Sequence, residues 1–273
     1  MSGFSIAWLD LRESADNGAR NDELLAQAQK WLSLSPELAA DNIIVDLGSG
    51  TGSTLRAFSA DGSKPGSFFW RLVDQDAALL AEARERHGSS YQLETFELDL
   101  TDIPALPLNG ASLVTASALF DLVSAGFLDS LTAAIQAASQ NHAIGFYAAL
   151  NYDGDTSWTP AHPLDAAVLE AFNRDQQRDK GFGQALGPDA SDYMEQLFKQ
   201  AGYHVTCAPS PWLLDGQDHD MVKALIEGIG NAVAQDTALD AAALKDWVRY
   251  RQAHAATGTC TVGHTDLLAL PAA

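Results

Sequence analysis

Through the first part of the chain, short apolar runs rich in β-branched residues alternate with stretches whose apolar positions recur every three or four residues. The runs Ile43 to Leu47, Phe68 to Val73, Leu93 to Leu98, Ser112 to Ala116 and Ala143 to Leu150 read as strands, and helical patterns fill the gaps between them. Such alternation is what βαβ units produce, because a strand can rejoin its neighbour in parallel only through a crossover. The pattern therefore predicts an α/β fold with a parallel sheet. Ahead of the first strand, Leu24, Leu25, Ala28, Trp31 and Leu32 recur at helical spacing and predict an amphipathic helix near the mouth of the site or against the sheet edge.

Beyond Leu150 the pattern changes. Asn151-Tyr152-Asp153-Gly154 reads as a loop, Pro160 and Pro163 follow, and helical periodicity resumes at Leu164, Val168, Leu169 and Phe172. A Gly-rich break at Gly181-Phe182-Gly183 and Gly187-Pro188 precedes a helix carrying Tyr193, Met194, Leu197 and Phe198. A strand from Tyr203 to Cys207, helices around Met221 to Val233 and Ala241 to Arg251, and a last strand from Thr259 to Leu270 complete the reading. The expected organisation is one domain: a helical N-terminal segment (1–40), a core (41–150), an inserted segment (151–200) with a lid from Asn151 to Pro188, and a C-terminal part of the sheet (201–273).

Composition narrows the function. Hydrophobic residues make up 47% of the chain, enough for a buried core, and 36 acids against 16 Lys and Arg give a net charge of −20. A nucleic-acid partner needs its phosphates neutralised by cations, so this balance argues against one, although Arg71, Arg84 and Arg86 lie close in sequence. It also disfavours anionic membranes, and no stretch approaches the roughly 18 apolar residues of a bilayer span. The start, Met1-Ser2-Gly3-Phe4-Ser5-Ile6, has no basic leader, so a cytoplasmic location is expected. Cys207 and Cys260 lack metal-ligand spacing and are expected to be buried small hydrophobes, with no metal site.

The strongest local signal is Ile43-Ile44-Val45-Asp46-Leu47-Gly48-Ser49-Gly50-Thr51-Gly52, a buried strand running into three glycines and a helix. Alternate glycines let the backbone turn sharply and approach a ligand without an intervening Cβ. No Lys-Ser/Thr pair closes the turn, which removes a triphosphate loop, and the spacing is GxGxG where a dinucleotide fold usually shows GxGxxG.

The segment Asp46 to Gly52 resembles the first motif of class I S-adenosylmethionine-dependent methyltransferases, and further landmarks follow in order. The resemblance implies a doubly wound, mostly parallel seven-stranded sheet with a reversed last strand, near Thr261 to Leu268. It implies S-adenosylmethionine as cofactor, with Gly48, Ser49, Gly50 and Gly52 under its methionine and ribose parts and Asp46 orienting the turn and the amino group. Asp74, with Gln75 beside it, would hold the ribose hydroxyls, although Asp74 alone also fits a helix N-cap. Asp99 would take the adenine amino group and the Leu100 N–H the ring. Ser117 and Phe120 would neighbour the cofactor, and Asp121 would face the acceptor. The reaction implied is in-line displacement at the sulfonium methyl, in which alignment and exclusion of water do most of the work.

The acceptor is less legible. Tyr152, Asp153, Asp121 and His162 are the candidates for catalysis, with Lys180 as a further acceptor contact, and Arg12 and Arg20 could meet a carboxylate of the cofactor or an anionic acceptor. A lid over the site favours an enclosed small-molecule acceptor. Three alternatives remain open at this level: an NAD-dependent oxidoreductase, an aminopropyltransferase, whose acidic run is missing, and a binding protein without turnover. Oligomeric state is not legible.

Overall fold

The sheet is built around β1 (Ile43–Leu47), whose residues alternate between two cores. Ile44 faces one and Val45 and Leu47 the other, as strand geometry requires when helices cover both faces. The computed structural model describes residues 5–34, 42–59, 68–139 and 142–272. Of the sequence readings, the start Met1 to Phe4 and the end of the N-terminal segment, 35–40, lie outside the described residues.

Two helices precede the strand, α1 (Ile6–Ala19) and α2 (Asp22–Leu34). Beyond it come α3 (Ser53–Ala57), β2 (Phe69–Asp74), α4 (Ala77–His87), β3 (Gln92–Glu97), β4 (Ala111–Ser117), α5 (Ala125–Ala138) and β5 (Gly145–Thr159). The chain continues through α6 (Asp165–Gln176), α7 (Ala190–Gln200), β6 (Tyr203–Pro209), β7 (Trp212–Leu214), α8 (His219–Ala232), α9 (Ala241–His254) and β8 (Thr259–Pro271). The strand order is β3-β2-β1-β4-β5-β8-β6. The first five strands pair in parallel and β8 runs antiparallel to β5 and β6. This is the doubly wound sheet with a reversed last strand that the sequence implied, and β7 adds a short eighth strand on β8.

Two apolar clusters sandwich the sheet. On one side Ile44, Trp70, Leu113 and Tyr147 pack with Leu24, Ala28 and Leu32 of α2 and with Ile226 and Trp247. On the other, Val45, Val114 and Phe146 pack with Leu128, Leu131 and Ile135 of α5 and with Met194 and Phe198 of α7. The helix expected at Leu24 to Leu32 therefore lies on the sheet face, where Trp31 donates its indole N–H to the Ser112 carbonyl at 3.1 Å.

Two readings change. Asn151 to Gly154 is not a loop: β5 runs on to Thr159 because β8 continues alongside, pairing Tyr152 with His264 and Thr156 with Val262. The Asp153-Gly154 turn signal is spent on a break in register between Tyr152 and Thr156, with Gly154 at φ 90°. Cys207 is exposed, while Cys260 is buried as expected. Helix α1 lies in the segment expected to be helical but shows no apolar periodicity of its own, because two of its three buried residues, Arg12 and Asp16, are charged.

Candidate active site

The turn after β1 is held by its neighbour. The Ser49 N–H donates to the Val73 carbonyl at 3.1 Å and the Gly50 N–H to Asp74 Oδ2 at 2.9 Å. Gly48, Gly50 and Gly52 all have left-handed backbones, at φ 62°, 53° and 88°, where any residue with a Cβ is strained. Asp74 also accepts the Asp76 N–H on Oδ1 at 2.9 Å. The N-cap of α4 is Asp76, which accepts from Ala78 and Leu79, so Asp74 braces the turn and leaves capping to its neighbour.

Above the turn lies a set of buried polar groups. Asp46 is 1% exposed, and neither carboxylate oxygen makes a hydrogen bond of good geometry, the Thr54 hydroxyl being the side-chain donor beside it. Burial pushes its carboxyl up to about 7 against the pull of the nearby Arg20 cation. Arg20, 4% exposed, spans from α1 to the end of β4, donating from Nη2 to Ser117 Oγ at 3.0 Å and Ser53 Oγ at 3.4 Å. Its Nε and Nη1 make no hydrogen bond of good geometry although the Tyr147 hydroxyl lies close by, and Ser49 Oγ has no partner. A buried polar atom left unpaired costs about 1–3 kcal/mol, so a folded chain keeps such a set chiefly where something else completes it. One unmatched carboxylate and one half-matched guanidinium suit a zwitterion, the ammonium at Asp46 and the carboxylate at Arg20.

The remaining cofactor candidates lie along the adjacent strand ends. Asp99, past the end of β3, accepts the Thr101 N–H at 2.9 Å and its hydroxyl at 2.7 Å, contacts that hold its carboxyl below the usual range. Leu100 is buried beside it, and Gln75 is exposed between Asp74 and Asp76. Asp46, Asp74 and Asp99 thus follow the ends of three successive strands of the sheet, β1, β2 and β3. Phe120 is fully buried, its ring 5.2 Å from Phe146, and belongs to the core.

Helix α1 covers the turn. A Cβ built on Gly50 would stand 3.2 Å from Leu9 Cδ1. Two ion pairs fasten the helix down: Glu13 to Arg56 at 2.5 Å and Asp10 to Arg86 at 2.6 Å. On its inner side Arg12 grips Asp16 through two bonds of 2.8 and 3.1 Å and lies 5.0 Å over the Trp212 ring. Trp212 donates its own N–H to Asp16 at 3.0 Å.

From Trp212 the aromatic wall continues to His264, at 4.7 Å between ring centres, and on to Tyr152, at 6.3 Å. Burial drives the His264 imidazole down to about 3, helped by the Arg12 cation, so the ring is neutral. Asp121 is buried beside this wall; burial raises its carboxyl to about 6 although its own backbone N–H, the Arg12 cation, the Tyr152 N–H and the Lys180 cation pull it down. The other candidates are committed elsewhere. Tyr152 donates its hydroxyl to Asn173 at 2.8 Å, and Lys180 pairs with Asp175 at 2.8 Å. Asp153 is exposed, bonded to the Asp155 N–H and folded over Gly263. His162 follows the far end of β5; its Nδ1 accepts the Leu164 N–H and its ring lies 4.9 Å from Tyr250. Asp16, Trp212 and His264 were not legible as site residues, since each stands in a segment with no motif of its own. Among the described residues, no cluster of His, Cys, Asp and Glu could hold a metal ion, and no helix is long and apolar enough to cross a membrane.

No protein-family model matches the chain, and no curated protein matches it by sequence. Among solved structures, a cyclopropane-fatty-acyl-phospholipid synthase-like protein from Lactobacillus casei is similar over 96% of this chain and 99% of its own, at 13% identity and a TM-score of 0.50. The YjhP protein of E. coli is similar over 97% and 99%, at 14% identity and a TM-score of 0.46. Geranyl diphosphate methyltransferase, in complex with GPP and sinefungin, is similar over 90% and 76%, at 11% identity and a TM-score of 0.44. The likeness to the Lactobacillus casei protein is one of fold.

Proposed function

We propose that this protein is an S-adenosylmethionine-dependent methyltransferase acting on a small-molecule acceptor. The observation that carries the reading is the unmatched pair at the glycine turn, the Asp46 carboxylate and the Arg20 guanidinium, buried together where an amino-acid zwitterion would satisfy both. When bound, S-adenosylmethionine supplies a methyl group already activated by its sulfonium and open to in-line displacement by an acceptor lone pair.

Everything else is supplied by the chain. Asp46 accepts the ammonium, and Arg20, steadied by Ser117, takes the carboxylate through its free nitrogens. Asp74 spends one lone pair of Oδ2 on the Gly50 N–H and one of Oδ1 on the Asp76 N–H, and keeps the others for the ribose hydroxyls. Asp99 Oδ2, not used by Thr101, faces the adenine amino group, and the Leu100 N–H serves the ring. The glycines let the backbone lie close under the ligand, and α1 keeps water out.

Calorimetric titration of the purified chain with S-adenosylmethionine, S-adenosylhomocysteine and NAD tests this reading, with Asp74→Ala as the control. Binding of both sulfur ligands, weakened in the variant and not matched by NAD, is the expected result. Failure of both to bind refutes the reading, and preferential binding of NAD moves the protein to the oxidoreductases.

A further inference from the structure

Resting on the methyltransferase reading, we infer that the acceptor is a small primary or secondary amine that arrives as its ammonium form and is held by Asp121 against the wall of Trp212, Tyr152 and His264.

The inference comes from which charges around this wall are already spent. Arg12 is closed on Asp16 by two hydrogen bonds, and Trp212 gives its N–H to the same carboxylate. Lys180 is bonded to Asp175. What is left unpartnered is Asp121 Oδ1 and His264 Nδ1, on residues 7% and 5% exposed. The two belong to one neighbourhood: Asp121 lies in the turn after β4 that packs against β5, and the ring of Tyr152 on β5 is 6.3 Å from that of His264.

Asp121 Oδ1 asks for a donor, and so does whichever nitrogen of the neutral His264 ring lacks the proton. A carboxylate only accepts, and a neutral imidazole always carries one nitrogen that accepts. An alcohol brings one O–H and no charge, so it leaves one atom, or the Asp121 charge, unanswered. A carboxylic acid brings a second anion beside Asp121. An ammonium carries two or three N–H donors and the positive charge Asp121 lacks, and aromatic faces such as Trp212 and Tyr152 attract it further. The net charge of −20 draws cations to the molecule from a distance. The location agrees: Asp121 follows β4 just after Ser117, which anchors Arg20 at the methionine end of the cofactor site.

The chemistry balances within this set. An ammonium has no lone pair to attack with, so it first gives one proton to the Asp121 carboxylate, an uphill transfer that burial of the carboxyl makes less so. The freed nitrogen lone pair then forms a bond to the methyl carbon as the carbon–sulfur bond breaks, its electron pair staying on sulfur. The product leaves as the N-methylated ammonium, with S-adenosylhomocysteine neutral at sulfur and Asp121 protonated until solvent takes the proton.

The test compares matched acceptors on the full chain with saturating labelled S-adenosylmethionine: butylamine, butanol and butyrate, and phenethylamine, phenethyl alcohol and phenylacetate. S-adenosylhomocysteine affinity is measured in parallel. The amines are expected to be methylated at least tenfold faster than their partners, and Asp121→Asn to lower that rate at least tenfold with S-adenosylhomocysteine affinity unchanged. Alcohols or acids reacting as fast as the amines, or no reaction of either amine in a chain that binds S-adenosylhomocysteine, overturns the inference. If Asp121→Asn fails to fold, the wild-type comparison decides alone. No S-adenosylhomocysteine binding at all refutes the cofactor reading, and the inference falls with it.

Discussion

Replacing Arg20 by Ala removes a side chain whose contribution to folding and to binding should differ sharply. In the ligand-free protein its guanidinium makes two hydrogen bonds to hydroxyls, at 3.0 and 3.4 Å, while two of its nitrogens are buried without a hydrogen bond of good geometry. Two hydroxyl contacts offset by an unmatched buried charge leave Arg20 a net contribution to stability of about 1 kcal/mol or less. A charge-assisted pair with a ligand carboxylate is worth about 1.5–3 kcal/mol, which converts to a loss of roughly 10- to 150-fold in affinity. Calorimetry against two ligands separates the effects. S-adenosylhomocysteine carries the amino-acid portion and methylthioadenosine lacks it, so Arg20→Ala should weaken the first within that range and leave the second unchanged. Arg20→Lys, which keeps the charge without the fork, should fall between. Equal losses for both ligands would show that Arg20 shapes the turn and does not hold a carboxylate, and the reasoning from the unmatched guanidinium would be refuted.

Other outcomes follow from the same geometry. Asp46 titrates at about 7 in the folded chain against 3.8 for the free group, so the folded state holds the proton more tightly and stability falls as pH rises between those values. Asp46→Asn should flatten that loss, by an amount on the order of 4 kcal/mol at the upper end, in melting curves from pH 4 to 8; a parallel wild-type profile would contradict it. His264 acts with the opposite sign: its folded value of about 3 lies below 6.5, so stability is lost as pH falls from 6.5 toward 3, and His264→Gln should lessen the acid-side drop. Gly50→Ala places a Cβ at φ 53° and 3.2 Å from Leu9, costing about 1–2 kcal/mol of stability and weakening S-adenosylhomocysteine, both measurable in one thermal-shift series. Glu13→Gln removes the Arg56 ion pair from α1, so stopped-flow association of S-adenosylhomocysteine should be faster than in the wild type, and high salt should speed the wild type toward the variant.

The strands of the first half were legible because both faces of the sheet are covered, which makes Ile43 to Leu47 and Ser112 to Ala116 mostly apolar, β-branched runs with sharp ends, interrupted only by Asp46 in the first and by Ser112 and Thr115 in the second. The glycine turn was legible for a local reason, a left-handed backbone at alternate positions. Past Leu150 the signals mislead: Asp153-Gly154 is turn chemistry used inside a strand, visible only once β8 is known to lie alongside. Arg12, Asp16, Trp212 and His264 come from α1, β7 and β8, and nothing local marks them as neighbours. Arg20 was legible as a cation that could reach a carboxylate; that it is buried and half unmatched depends on Ser117, far along the chain.

Asp266 is fully buried and accepts three bonds, from the Asn21 N–H at 3.0 Å, the Leu150 N–H at 2.8 Å and the Tyr147 hydroxyl at 3.0 Å. One carboxylate thereby pins the junction between α1 and α2 to the middle of the sheet. With that junction fixed and α2 packed on the sheet, the freedom left to α1 is that of a hinged door with its post at Asn21. Its leaf carries Leu9 over the glycine turn and Arg12 over Trp212. The cover of the glycine turn and the cover of the aromatic wall are thus one element, held at its end by one carboxylate.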